Sequence, residues 1–160
     1  MSFNFNELLL QGKSAAEDVI QNRKEIKSVL DELQNSLSSF LEMPIRLVER
    51  IEYIQNDSDI MTKLSFQIKP KEKTGFNLIY IVNEDVDLSK EVFKIKRSDD
   101  VYPVTIVRDR NHSVADDKSE FASALGQIAS SSQFHLQLSA FKREVEEKLL
   151  EKLERLPGSE

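Results

Sequence analysis

Residues 43–54 read MPIRLVERIEYI, and the chain changes its periodicity inside them. Pro44 cannot continue a helix, because it has no N–H to donate and its ring collides with the preceding turn. Beyond it, Ile45, Leu47, Ile51 and Tyr53 fall on one side of an alternating segment, the period of a strand.

Upstream, the apolar positions keep helical time. Ile26, Leu30, Leu33, Leu37 and Phe40 are spaced four, three, four and three, an a/d seam. Val19 extends it by one heptad, with Arg23 interrupting. No Gly or Pro breaks residues 14–41, and Ser14 with Glu17 has the form of a capping box. The sequence predicts a helix over 14–41, preceded by a separate short helix, NELLLQG, capped by Asn6 and ended at Gly12. The seam has two readings of equal weight: it covers a sheet, or it receives a second helix.

Downstream, alternation persists. In IMTKLSFQIK (60–69), Ile60, Leu64, Phe66 and Ile68 oppose Lys63, Ser65, Gln67 and Lys69. FNLIYIV (76–82) is nearly all apolar, the pattern of a central strand covered on both sides. In EVFKIKR (91–97), Phe93 and Ile95 alternate with Lys94 and Lys96, and VYPVTIVRD (101–109) follows after SDD. Pro103 places that last strand towards a sheet edge. The short connectors KPKEKTG, NEDVDLSK and SDD suit an antiparallel meander, not crossover helices. Two further helices then follow. One carries Phe121, Ala124, Leu125 and Ile128. The other, after SSS at 130–132, carries Leu138, Phe141, Val145, Leu149, Leu153 and Leu156. The expected fold is α+β: a long N-terminal helix, a five-stranded mainly antiparallel meander and two C-terminal helices on one sheet face. A single domain over 1–160 is expected, helical in 1–43, sheet in 44–110 and helical again in 116–156.

The composition narrows the function. With no Cys, thiolate metal sites, disulfides and thiol catalysis are excluded, and a reducing cytoplasm is the expected setting. The longest apolar run, LIYIV, is far short of the ~18 residues a membrane span needs. MSFNFNELLLQ lacks the basic start of a signal peptide. The net charge of −6 divides as −3 over 1–44, zero over 45–110 and −3 over 111–160, without the basic stripe of a general DNA-binding protein. There is no Gly-rich phosphate loop, GxSxG elbow or HExxH motif; GKS at 12–14 lacks the rest of a phosphate loop.

Three groups remain as candidate sites. RDRNHSVADDKSE (108–120) concentrates ionisable residues, and His112 with Asp109 or Asp116 would be the core of a metal-assisted hydrolase. The more economical reading is a joint: NHSVA turns the chain, Asp117 caps the next helix and Glu120 completes a capping box. His135 reads as a partly buried or interface histidine. The carboxylates of NDSD, NEDVD and SDD read as solvated turns, without the Gly and Glu spacing of a calcium loop.

The third group is basic. A meander brings Lys69, Lys71, Lys73 and Arg97 to one end of the sheet, with Lys94 and Lys96 on the adjoining wet face. Such a group would dock an acidic partner, a nucleotide or nucleic acid, or else guard a sheet edge against aggregation. Phe93 is the only aromatic residue evident near it in the sequence.

The residues point to a non-enzymatic cytoplasmic interaction protein without a cofactor, of the immunity, antitoxin, chaperone or accessory-subunit kind found in microbial and defence systems. A protein partner or a homodimer is expected through Ile26, Leu30, Leu33, Leu37 and Phe40. The alternatives are the hydrolase at 109–120 and nucleic-acid binding at the basic group.

Overall fold

The computed structural model describes residues 3–54 and 72–155. Its first element, α1 (Phe5–Leu41), is one uninterrupted helix of 37 residues, about 55 Å long at 1.5 Å per residue. The expected break at Gly12 and restart at Ser14 do not occur. A lone Gly costs a helix about 1 kcal/mol, which the helix formers around it, Leu10, Gln11, Lys13, Ala15 and Ala16, offset. The N-cap is Asn4, not Asn6, and its Oδ1 accepts the Glu7 N–H at 3.3 Å.

The C-terminal end of α1 matches the grammar of its sequence. Glu42 adopts a left-handed conformation (φ 55°) and its N–H returns to the Ser38 carbonyl. Pro44 follows. Ser38 then fastens the helix end to the start of the sheet: its Oγ accepts the Ile45 N–H at 3.0 Å and donates to the Ile45 carbonyl at 3.1 Å. One turn back, Gln34 Oε1 accepts the Leu47 N–H at 2.9 Å.

The sheet contains β1 (Arg46–Tyr53), β2 (Lys73–Asn83), β3 (Leu88–Ser98), β4 (Val101–Arg108) and β5 (Asn111–Ala115), all antiparallel and in sequence order. The architecture is the expected α+β meander with helices before and after it, but one strand differs. The strand predicted at 60–69 lies outside the described residues. The fifth strand is NHSVA, which the sequence suggested was only a turn. Asp109, at φ 54°, makes the reversal with Arg110, and 111–115 pairs back along β4. Because β5 covers β4, Pro103 does not mark an edge strand. It lies beside the irregularity where β3 and β4 change register between Arg97 and Ser98, so its missing N–H interrupts no regular ladder.

Two C-terminal helices, α2 (Lys118–Ala129) and α3 (Ser132–Glu154), complete the fold. They and the second half of α1 pack on one sheet face, where Ile79, Ile81, Ile95, Val104 and Ile106 meet Ile26, Phe121 and Phe141. Strand β3 has an extra residue there, Val92, since Ile79 pairs with Phe93 while Tyr80 pairs with Glu91. The bulge lets both Val92 and Phe93 be buried. Past the end of β4, side chains reach the part of β3 that β4 leaves unpaired. Arg108 Nη1 donates to the Val92 carbonyl at 2.6 Å and Gln137 Nε2 to the Glu91 carbonyl at 2.8 Å. Glu144 of α3 reaches Lys90 of β3 at 3.8 Å.

Candidate functional site

Strand alternation and register determine what the second sheet face presents. Arg50 pairs with Leu78, Leu78 with Lys94, Lys94 with Val107 and Val107 with His112. Paired residues share a face, so one row across all five strands reads basic, apolar, basic, apolar, histidine. At about 4.8 Å per strand it spans roughly 19 Å. The helix–sheet core described above lies on the opposite face.

Two aromatic rings flank this row on β2. Phe76 lies beneath two ammonium groups, Lys94 Nζ at 4.9 Å and Lys96 Nζ at 5.6 Å from its ring centre. Tyr80 lies beneath the Arg50 guanidinium, 4.6 Å away. Cations at these distances are held by the negative face of the ring. Gly75 permits the approach: its φ is +91°, and a Cβ there would come within 3.3 Å of Lys96 Cε. The apolar run FNLIYIV had suggested a strand covered on both sides. Instead Ile79 and Ile81 are buried, while Phe76, Leu78, Tyr80 and Val82 are half-buried on the second face. The rings escaped the sequence reading because a near-continuous apolar run hides its parity. Phe93, the aromatic residue expected beside the lysines, is in the core.

The basic group is divided between the two faces. Lys94 and Lys96 are on the second face, and Lys94 Nζ is 3.5 Å from Glu52 Oε1, which also accepts from Thr74 Oγ1 at 2.9 Å. Arg97 is on the helix-covered face, where it donates to both oxygens of Glu49. Burial there pushes the Glu49 carboxyl up, but the hydrogen bond and charge of Arg97 and the Asn77 amide outweigh it and hold the carboxyl below its ordinary value. Lys73 is exposed at the start of β2. Lys69 and Lys71 lie outside the described residues.

The 108–120 cluster separates in the same way. Asp109 and His112 line a cleft of about 770 Å³ with Lys94, Arg108 and Phe76, walled on the far side by Gln133, Leu136 and Gln137 of α3. Arg108 is held in place by Val92 and by Gln137 Oε1 at 2.9 Å. Asp116 belongs to the helix start, its N–H donating to Glu120 Oε2 at 2.6 Å, and Asp117 Oδ1 accepts the Glu120 N–H at 2.8 Å. No three His, Asp or Glu side chains among the described residues are grouped to hold a metal ion. His135 Nε2 lies 2.7 Å from the Ala129 carbonyl, and its ring stands edge-on to Phe40, 5.4 Å between centres.

The helix seam divides along its length. Ile26 and Leu37 are buried in the core and Leu30 and Leu33 pack against it, while Phe40 stays 61% exposed. One heptad before Ile26, past Arg23, the same spacing resumes at Val19 and runs backwards in steps of three and four through Ala16, Gly12, Leu9 and Phe5. Val19 still packs against the core, but before it no described residue covers the stripe. Residues 5–18 of α1 are all exposed, with Phe5, Leu8, Leu9 and Leu10 between 57% and 70% exposed. The helix therefore leaves the sheet as an arm of about 20 Å with its apolar stripe uncovered by any described residue. Among the described residues no helix is long and apolar enough to cross a membrane. Compared with protein-family models, with curated proteins and with solved structures, the chain matches none.

Proposed function

We propose that the protein is a non-enzymatic, cytoplasmic protein–protein interaction module whose docking element is the N-terminal arm of α1. It would act as an accessory subunit, a small chaperone or an antitoxin-like protein does, by occupying a partner. The observation that carries this reading is the stripe from Phe5 to Ala16, continuous through Val19 with the core seam and uncovered by any described residue. An isolated helix shorter than about 12–15 residues is marginal in water, and helices in proteins owe most of their stability to packing an apolar face. An arm of this length with four large apolar side chains exposed is suited to lie in the groove of another protein.

A photo-crosslinking residue at Leu9, introduced in the cells that make the protein, tests the proposal. The expected result is one discrete adduct that the Leu8→Asp variant abolishes, with the body still folded. Adducts from control positions on α3 and none from Leu9 would overturn it. The hydrolase alternative has no supporting geometry among the described residues beyond the shared cleft of Asp109 and His112.

A further inference from the structure

We propose that the second face of the sheet is a platform for single-stranded nucleic acid. The arm has no part in this inference, which rests on the row Arg50–Leu78–Lys94–Val107–His112 and on the two rings beside it.

Single strands are bound by two devices used together: cations that follow the phosphates, and flat π-surfaces on which successive bases stack. Both occur here on neighbouring strands. Arg50 lies over Tyr80 with its guanidinium carbon 4.6 Å from the ring centre, and a guanidinium is itself a flat surface on which a base stacks. Phe76 and its two ammonium groups form the second station, separated from the first along β2 by Leu78. The row then continues over Val107 to His112 and the cleft at the end of β4, where the exposed Gln133 adds a hydrogen-bonding group of the kind that contacts base edges.

Charge complementarity favours this occupant over an apolar or acidic protein segment. Arg46, Arg50, Lys94 and Lys96 share the face, against Glu52 and Glu91 in the strands and Glu84, which pairs with Arg46 just beyond β2. Arg50 and Lys96 have no carboxylate partner among the described residues. An acidic peptide would use the cations but leave the rings idle, whereas a polynucleotide uses both. The chain's net charge of −6 keeps long-range attraction low, so affinity here depends on stacking more than on charge alone. A duplex keeps its bases paired and offers nothing to the rings.

The test uses the full chain and a fluorescein-labelled oligouridylate of about sixteen nucleotides, followed by anisotropy at about 50 mM salt. Saturable binding is expected, weakening with salt with a log–log slope of about −0.7 per phosphate contacted. The exposed double variant Arg50→Glu/Lys96→Glu should weaken it at least tenfold. Phe76→Leu, which keeps an apolar side chain but removes the ring, should weaken it about fivefold or more. Circular dichroism and thermal melting identify any variant that fails to fold, and the charge variant carries the test if Phe76→Leu does. Three results would overturn the proposal: no binding of the oligonucleotide, binding indifferent to Arg50→Glu/Lys96→Glu, or equal binding of a polyglutamate or duplex of similar charge.

Discussion

Arg97 and Glu49 clasp each other across the middle of the sheet: Nη1 meets Oε2 at 2.7 Å and Nη2 meets Oε1 at 2.9 Å, joining β3 to β1 over the intervening β2. Asn77 of β2 donates to the same carboxylate at 2.6 Å, so three strands converge on one side chain beneath α1. Both charged side chains are about 30% exposed, and a two-pronged geometry of this kind is among the stronger ion pairs.

This pair makes stability depend on acid. Glu49 is held below its ordinary value of 4.5, so its stabilisation is complete above that value and is lost as pH falls through the lowered one. Glu49→Gln should cost roughly 0.5–1 kcal/mol at neutral pH and flatten the acid limb of the stability curve. Urea midpoints of both proteins at neutral pH and near pH 3 provide the comparison; parallel acid losses would contradict the assignment.

The start of α2 depends on Asp117. Its Oδ1 receives the Glu120 N–H, and Glu120 in turn receives the Asp116 N–H. Asp117→Ala should lower stability by about 1 kcal/mol. Chemical denaturation measures the loss, which should be the same with and without divalent ions if this residue is a cap.

Glu42 ends α1 in a left-handed conformation that carries a steric cost for any residue with a Cβ. Glu42→Gly should therefore raise stability by about 1 kcal/mol, read as a higher melting temperature. A fall would mean that the Glu42 side chain contributes more than its backbone strain removes.

Phe141 of α3 is buried in the core between the helices and the sheet. Phe141→Ala should cost about 3–5 kcal/mol and lower the urea midpoint accordingly. Leu9→Ala, on the arm, should change the stability of the isolated chain by less than about 0.5 kcal/mol.

Hydrogen exchange should divide α1 into two regimes. Amides of residues 5–18, where no described residue packs on the helix, should exchange far faster than those of 26–41, which open only with the core. A partner on the arm would protect the fast set selectively.

The end of α1, the β3 alternation and the start of α2 were legible in the chain because their signals are local, whereas the break expected at Gly12 was not there. Pro44 and the four–three spacing from Ile26 to Phe40 determine a helix and its stop by backbone sterics and by which side chains share a face. The alternation of Phe93 and Ile95 with Lys94 and Lys96 determines a strand and its two sides. Asp117 and Glu120 announce a helix start whatever packs above them.

Tertiary structure decided what depended on partners distant in sequence. NHSVA is a strand because β4 offers it an edge, and Pro103 is tolerated inside the sheet because a register irregularity lies beside it. Likewise, the seam of α1 is one pattern in the sequence and two surfaces in space. Ile26 and Leu37 meet a sheet, whereas Phe5 and Leu9 extend past its end. The basic residues are neighbours along β3, yet strand parity sends Arg97 under the helix to Glu49 and leaves Lys94 and Lys96 over Phe76. Periodicity specifies which side chains face together, but only the register of five strands specifies what they face.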